Sequence, residues 1–262
     1  MTPFFFGSSD RQLFGIYEAA RCAPVKGAAV LCHPWGPEYI HAHRSLRQLS
    51  NMLAAAGFHT LRFDYFGTGD SAGDMTEARL AGWEADIRTA MSELLDITGA
   101  RQVSLVGLRL GAALAATIAI TAGAKVRSLV LWDPVLRGEE HVRELHLESP
   151  PGEKAIKPRP RAPEDGGGYD ILGFPLTDQI ESEMKALDLI ALAPALPARS
   201  LIVASHPLPS HDGLRRVLDE NKRDQAIEFI ADHPPWIELP LGHPLSGAAP
   251  VKVLRRIVEW LA

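Results

Sequence analysis

The chain has 262 residues, which is enough for one large α/β domain with a sizeable core. Its hydrophobic content of 46% and charged content of 23% are ordinary for a globular protein. The formal net charge is −5, and no run of Lys and Arg gives the chain the basic surface that nucleic-acid binding requires, so we expect no nucleic-acid partner.

The N-terminus carries only a short aromatic run, without the basic region of a signal peptide. No segment approaches the roughly 20 apolar residues that span a bilayer. We therefore expect a cytoplasmic protein with no membrane span.

Strand and helix patterns alternate along the chain from about residue 12. Short alternating or apolar runs predict strands at 12–19, 27–32, 59–65, 128–132, 199–204 and 226–231. Helical periodicity predicts helices at 43–56, 77–98 and 251–261. Strands separated by helices predict βαβ units and a mainly parallel sheet.

One segment departs from this alternation. Residues 136–197 show no strand pattern, and 149–168 are dense in Pro, Gly and charged residues. A long insert in a compact domain is usually a functional lid or a disordered loop. We therefore predict a single domain over 1–262 with a lid-like insertion at 136–197, flexible over 149–168.

The stretch 103–112 has the layout of a nucleophile elbow: an apolar strand, a turn framed by Gly107 and Gly111, then an apolar helix. In the G-x-S-x-G elbow, the central residue lies on a strained turn above a parallel sheet. Here that residue is Arg109. Because arginine stays protonated in proteins, it cannot attack a carbonyl.

With this elbow, the segment 63–71 and the strand order, the chain resembles the α/β-hydrolase superfamily over roughly 12–262. More narrowly, 107–112 and 131–135 are similar to segments of hydrolase-like proteins found with bacterial exosortase systems and exopolysaccharide gene clusters. The resemblance implies the α/β-hydrolase fold, a mainly parallel central sheet flanked by helices. Function must still be argued from the site, because this fold carries many chemistries.

A second G-x-S-x-G match occurs at Gly69-Asp70-Ser71-Ala72-Gly73. It follows a predicted strand but does not run directly into an apolar helix, as a nucleophile elbow does. We interpret Ser71 as a turn residue, with a nucleophilic role as the alternative.

The resemblance places a catalytic acid after the strand at 199–204 and a catalytic histidine after 226–231. Asp212 and His243 match these places best. Asp212 is equally well a turn residue before Gly213, and His233, nearer the strand end, is the rival of His243. If Asp212 and His243 hold these roles, an acid–histidine pair exists without the serine it would activate.

Arg109 needs a partner, because burying an unpaired guanidinium is costly. We expect a pair with Glu38 or with Asp133, although the Asp-Pro sequence at 133–134 can also simply end a strand. A bidentate pair would fill the pocket floor. An Arg109 without such a pair would bind an anionic ligand, helped by the following helix N-terminus.

The resemblance also implies two backbone amides that form an oxyanion hole beside the elbow. One belongs to the loop that carries His33 and Trp35, and the other is the backbone N–H of Leu110. The alternative is that this loop merely connects a strand to a helix.

We expect no metal and no cofactor. His41 and His43 lie two residues apart at a helix start and point to different faces, with no acidic cluster beside them. Gly67-Thr68-Gly69 lacks the third glycine and helix opening of a dinucleotide fingerprint.

Three functions follow, in order of preference. The first is a degenerate or non-serine hydrolase-like protein that binds an acyl, ester or anionic small molecule. The second is a non-catalytic partner in a bacterial envelope or exopolysaccharide pathway. The third is an ester or thioester hydrolase with an unusual nucleophile such as Ser71.

Overall fold

The computed structural model describes residues 1–147, 158–222, 225, 227–237 and 248–262. Within them the strands are β1 (Thr2–Phe6), β2 (Leu13–Glu18), β3 (Gly27–Cys32), β4 (Phe58–Phe63), β5 (Val103–Leu108), β6 (Val126–Trp132), β7 (Arg159–Pro160), β8 (Tyr169–Ile171), β9 (Phe174–Leu176), β10 (Ser200–Ala204) and β11 (Ile227–Phe229).

The helices of the described residues are α1 (Pro37–Ala55), α2 (Leu80–Thr98), α3 (Leu110–Ala122), α4 (Gly138–Leu147), α5 (Asp178–Lys185), α6 (Leu189–Leu192), α7 (Ser210–Glu220) and α8 (Val251–Leu261). None of these helices combines the length and the apolar character that a bilayer crossing needs.

The main sheet has the strand order β1-β2-β4-β3-β5-β6-β10-β11. In this sheet β4, β3, β5, β6, β10 and β11 pair in parallel, each with the next, while β2 runs antiparallel to both β1 and β4. The expected mainly parallel sheet flanked by helices is therefore confirmed. The carboxyl ends of its parallel strands meet at one edge, where sites of open α/β sheets form.

Two apolar layers cover the sheet. On one face, buried side chains of α1 and α8 pack against alternate residues of β3, β5 and β6. On the other face, α2 and α3 pack against the remaining strand residues, together with apolar residues of α4, α5 and α6. Because the central strands are covered on both faces, they are continuously apolar, as buried parallel strands are.

Element boundaries differ from the prediction at the N-terminal side. β1 was not predicted; its residues Thr2–Phe6 pair with Leu13–Tyr17 and extend the sheet by one antiparallel edge strand. α1 begins at Pro37 rather than at residue 43, because proline fits the first helical position and Gly36 precedes it with φ 67°. The earlier start places Glu38 in the first turn of α1.

The prediction that 136–197 contains no strand was wrong. β7, β8 and β9 form a small antiparallel sheet there. These strands have two or three residues, too few to show alternation. The overlooked signal was the two-residue hairpin loop of Leu172 and Gly173, whose positive φ angles of 55° and 90° suit a turn with glycine second. Of the segment predicted to be flexible, 149–157 lies outside the described residues.

The start of α3 approaches β3 closely. A Cβ atom on Gly111 would lie 2.4 Å from the carbonyl oxygens of both Cys32 and His33. Such a distance is far inside van der Waals contact, and both neighbours are backbone atoms. Glycine at this position is therefore needed for the helix to pack against the strand end.

We expect Gly111→Ala to destabilise the protein by at least about 1–3 kcal/mol, the usual cost of overpacking a tight interior. Gly213→Ala is the matched control, because Gly213 also lies in a helix, where an added Cβ would meet only Ile190 at 3.4 Å. The control should be neutral or stabilise by up to about 1 kcal/mol. Urea unfolding midpoints compare the two, and equal effects would contradict the close packing described above.

Candidate functional site

Arg109 is the single residue between β5 and α3. Its backbone angles are φ 53° and ψ −120°, a strained conformation for a residue with a side chain. Its N–H donates to the Trp132 carbonyl oxygen at 3.1 Å, and its own carbonyl accepts from Val135 N–H at 3.3 Å. These contacts with β6 and the residues after it hold the turn at the carboxyl edge of the sheet.

The guanidinium of Arg109 joins separate parts of the chain. Its Nε donates to Glu38 Oε1 at 2.8 Å, and its Nη2 donates to Glu144 Oε2 at 2.6 Å. Nη2 also lies 3.3 Å from His141 Nδ1, and the guanidinium carbon lies 5.1 Å from the centre of the Trp236 ring. α1, α4 and the segment before α8 therefore all contact one side chain.

The charged groups at Arg109 carry an excess of negative charge. Burial alone would lower the pKa of Arg109, but the carboxylates of Glu38 and Glu144 raise it above its ordinary value. One guanidinium faces two carboxylates, so these three groups carry a net charge of −1. An additional anion would have to overcome this negative charge, while a neutral polar group would not.

On the side chains that bond to Arg109, two buried atoms have no hydrogen-bond partner among the described residues, Glu38 Oε2 and His141 Nε2. Since Arg109 can only donate, His141 Nδ1 must be the acceptor, and the proton of a neutral ring then lies on Nε2. One unused acceptor and one unused donor therefore remain beside the guanidinium. Such a pair suits a water molecule or a neutral polar ligand group.

Asp133, the other expected partner of Arg109, is bound elsewhere. Its carboxylate accepts from Ser205 N–H and from the Ser205 hydroxyl, both at 2.7 Å. Burial raises the pKa of Asp133, and the two hydrogen bonds from Ser205 oppose that rise. Asp133 therefore joins the ends of β6 and β10, and of the two expected carboxylates it is Glu38 that pairs with Arg109.

The loop after β3 is held by His33. Its Nδ1 lies 2.6 Å from the Pro34 carbonyl oxygen, and its Nε2 accepts from Tyr65 N–H at 3.4 Å. Burial lowers the pKa of His33, so the ring is neutral with its proton on Nδ1. His33 thus connects the ends of β3 and β4.

Trp35 and Leu110 complete the loop region. Trp35 is buried, stacks edge-on against Phe174 of β9 at 6.1 Å, and leaves its Nε1 without a partner in the described part of the chain. Leu110 is buried at the first position of α3, where backbone amides have no acceptor within the helix. An oxyanion cradle built from this region stays a prediction.

Ser71 is bound to backbone groups on both sides. Its hydroxyl donates to the Asp64 carbonyl oxygen at 2.6 Å and accepts from Phe14 N–H at 2.8 Å. These bonds tie the loop after β4 to β2. In this arrangement Ser71 is a turn residue, which is the interpretation favoured from the sequence.

Asp212, His243 and its rival His233 are the residues that the resemblance matched to the catalytic acid and histidine. Asp212 lies in the first turn of α7, with its side chain 78% exposed and 3.3 Å from Arg215, so the turn expected there is helical. His243 lies outside the described residues. The rival His233 has its Nδ1 2.9 Å from the Pro234 carbonyl and its Nε2 2.6 Å from the Ala248 carbonyl.

Comparison with known proteins assigns the family. The sequence profile described as serine aminopeptidase, S33, matches residues 23–158, more than half of the chain. The chain belongs to this family. The α/β-hydrolase superfamily expected from the sequence is thereby confirmed. No curated protein sequence matches the chain.

Solved structures of similar shape include several hydrolases. Est1E from Butyrivibrio proteoclasticus, solved with ferulic acid bound, has a TM-score of 0.68 at 14% identity, covering 98% of this chain and 97% of that one. Proline iminopeptidase from Mycobacterium smegmatis has a TM-score of 0.64 at 12% identity, covering 99% and 97%. The thioesterase domain from the curacin biosynthetic pathway has a TM-score of 0.59 at 15% identity, covering 100% and 99%. At these identities the likeness shows the fold alone.

Three contacts of Arg109 in this S33 family member were missed from the sequence: His141, Glu144 and Trp236. His141 and Glu144 lie three residues apart and so share one face of α4. The apolar spacing of Val142 and Leu145 is a usable signal for that helix, but these residues were predicted from the sequence only as part of the insertion. No sequence signal pointed to Trp236.

The pH dependence of stability tests the Glu144 contact. Burial would raise the pKa of Glu144, but His141 in its protonated form and the Arg109 guanidinium lower it from 4.5 to about 2. A carboxyl with a lower pKa in the folded state stabilises that state fully above its unfolded pKa, and the stabilisation is lost as the pH falls. The loss should therefore occur between pH 4.5 and about 2.

Glu144→Gln should accordingly flatten the fall of urea unfolding midpoints between pH 4.5 and 2, relative to the native sequence. Glu139→Gln, at an exposed position on the same helix, is the control and should leave the profile unchanged. Parallel profiles for the native chain and Glu144→Gln would show that Glu144 does not pair with Arg109 in solution.

Proposed function

We propose that this S33 family member does not act as a serine hydrolase, and that it binds a small acyl or ester molecule non-covalently at the turn between β5 and α3. The observation that carries the proposal is the bonded state of Arg109. It stands at the turn where the superfamily elbow presents its nucleophile, and its guanidinium is paired with Glu38 and Glu144. A protonated guanidinium with no lone pair to offer cannot form an acyl-enzyme.

Charge at the site favours a neutral ligand over an anion. Two carboxylates already compensate Arg109, so the anionic ligand considered from the sequence is less suited to this place. The unused donor on His141 matches the carbonyl oxygen of an ester or amide, and the unused acceptor on Glu38 matches an amide N–H or a hydroxyl group of the ligand. Segment 136–197 supplies α4 to the site and would act as its lid.

A non-catalytic partner role in a bacterial envelope or exopolysaccharide pathway is the second candidate. The Arg109–Glu38 pair at 2.8 Å favours it, because a side chain whose charge is satisfied internally can serve stability without any ligand. The class of pathway comes only from the resemblance of short segments to exosortase-associated proteins. In this reading, no small acyl molecule stabilises the fold.

The third candidate, hydrolysis through Ser71, is weakened by the local bonds. A nucleophilic serine needs its hydroxyl directed at a base. The Ser71 hydroxyl instead donates to the Asp64 carbonyl.

Hydrolysis of p-nitrophenyl butyrate and of a short acyl thioester tests the proposal. We expect no turnover above the uncatalysed rate for the native chain, and the same result for Ser71→Ala. The ester should raise the melting temperature while remaining intact, because a ligand that binds only the folded state stabilises it.

Each outcome of this experiment decides between the candidates. Turnover by the native chain that Ser71→Ala abolishes would overturn the proposal in favour of an ordinary hydrolase. Absence of both turnover and thermal stabilisation would favour the partner role. Turnover gained by Arg109→Ser would support the assignment of Arg109 to the nucleophile position.

A further inference from the structure

A second pocket lies between β2, β4 and α1; its lining includes His33 of the loop after β3 but none of the residues that contact Arg109. Its volume is about 270 Å³. Tyr39, His43 and Leu46 line it from one face of α1, at the spacing that places residues on the same side of a helix. Its floor is the sheet, and its rim carries the exposed residue Asp70.

The floor of this pocket contains Arg62. In the sheet register Arg62 on β4 is directly opposite Ile16 of β2 and Leu31 of β3, so its two neighbours on that face are apolar. Arg62 is only 8% exposed, and its buried Nε has no hydrogen-bond partner. No ion pair among the described residues includes it.

The nearest carboxylates are already engaged. Asp64 accepts from the Tyr39 hydroxyl at 2.8 Å and from Asp70 N–H at 3.1 Å. Glu18, the other nearby acid, accepts from a guanidinium at 2.9 Å and from the Ser50 hydroxyl at 3.2 Å. Arg62 is therefore a nearly buried cation that lines an open pocket without a bonded counter-ion, which is a costly arrangement.

Arg62 and Arg109, the buried arginines of the described residues, differ in how their charge is balanced. Burial lowers the pKa of Arg62, the neighbouring charge of Arg47 lowers it further, and the carboxylates of Glu18 and Asp64 do not reverse the shift. The pKa of Arg109 is raised, because its two carboxylates are bonded to it. Arg109 is thus bonded to its carboxylates, whereas Arg62 only lies near carboxylates that are bonded elsewhere.

We propose that this pocket binds a small organic monocarboxylate, whose carboxylate pairs with Arg62 and whose apolar part packs against Ile16 and Leu31. A volume of about 270 Å³ fits a short-chain acid, since pockets for drug-sized ligands start at about 300 Å³. Asp64 and Asp70 at the pocket repel any anion, and this repulsion rises with the charge of the ligand, so a singly charged carboxylate is favoured over a multiply charged anion such as phosphate. Unlike the carboxylates at Arg109, neither is joined to Arg62 by a described hydrogen bond or ion pair. This site goes beyond the proposed ester site and does not depend on Arg109.

Titration calorimetry with sodium hexanoate tests the site, with hexanamide as its neutral analogue and inorganic phosphate as the competing anion. Hexanoate should bind the native chain, and Arg62→Gln should weaken it at least about tenfold, the effect of losing one charge-assisted hydrogen bond. Hexanamide should bind at least about tenfold more weakly than hexanoate, for the same reason. Arg47→Gln, at an exposed position near the pocket, is the matched control and should change affinity less than about threefold.

Other results would overturn the proposal. These are equal binding of hexanoate and hexanamide, unchanged affinity in Arg62→Gln, binding of phosphate in place of hexanoate, or no hexanoate binding at millimolar concentration. If Arg62→Gln does not fold, Ile16→Trp tests the same site, because a larger side chain on the pocket floor should block hexanoate. An inert result with p-nitrophenyl butyrate leaves this test unaffected, since that ester carries no carboxylate.

Discussion

The bonded guanidinium of Arg109 is the interaction on which the region at the carboxyl edge of the sheet depends. It sits on a strained turn and reaches the first turn of α1 through Glu38 and the insertion helix α4 through Glu144. Because Arg109 and Glu38 are both buried, removing Arg109 would leave an uncompensated carboxylate in the interior, whereas removing Glu38 would leave Arg109 paired with Glu144 alone. The position of α4 over the sheet is therefore linked to the side chain at the turn between β5 and α3.

The same interaction underlies the proposal that this chain keeps the hydrolase fold without serine-hydrolase activity. The chain belongs to the S33 family and shares its overall fold with solved hydrolase structures. A nucleophilic mechanism needs one side chain at that turn with an available lone pair, and Arg109 has none. Our proposals therefore keep the scaffold and assign it binding, of a neutral ligand at Arg109 and of a carboxylate at Arg62 beneath α1.

Much of the fold was predictable from the sequence, because the long central strands and the helices at 77–98 and 251–261 have strong periodicity. Pairing of Arg109 with a carboxylate was also predictable, since burial of an arginine requires it. The particular partners were not all predictable. Glu38 was named as a candidate, but Glu144 and Trp236 reach Arg109 only through tertiary packing. Asp133, equally plausible by sequence, is bound by Ser205 from the neighbouring strand.

Short elements and local hydrogen bonds account for most of the remaining differences. β7, β8 and β9 are too short to show a period, and the helix that contains Asp212 begins inside a sequence typical of a turn. Arg62 gave no signal in the sequence, because its isolation depends on the register that places Ile16 and Leu31 beside it. Register and the satisfaction of buried charges are properties of the assembled sheet.

A double-mutant cycle between Arg109 and Glu38 tests the central claim most directly. Urea unfolding would be measured for Arg109→Met, Glu38→Gln and the double variant, with the exposed Arg137–Asp188 pair as a matched cycle. The ion pair described here predicts that Arg109→Met alone costs about 3–5 kcal/mol, and that the two changes couple by about 1–3 kcal/mol. The exposed pair should couple by less than about 1 kcal/mol. If the effects at Arg109 and Glu38 add within about 0.5 kcal/mol, the two side chains do not pair in solution.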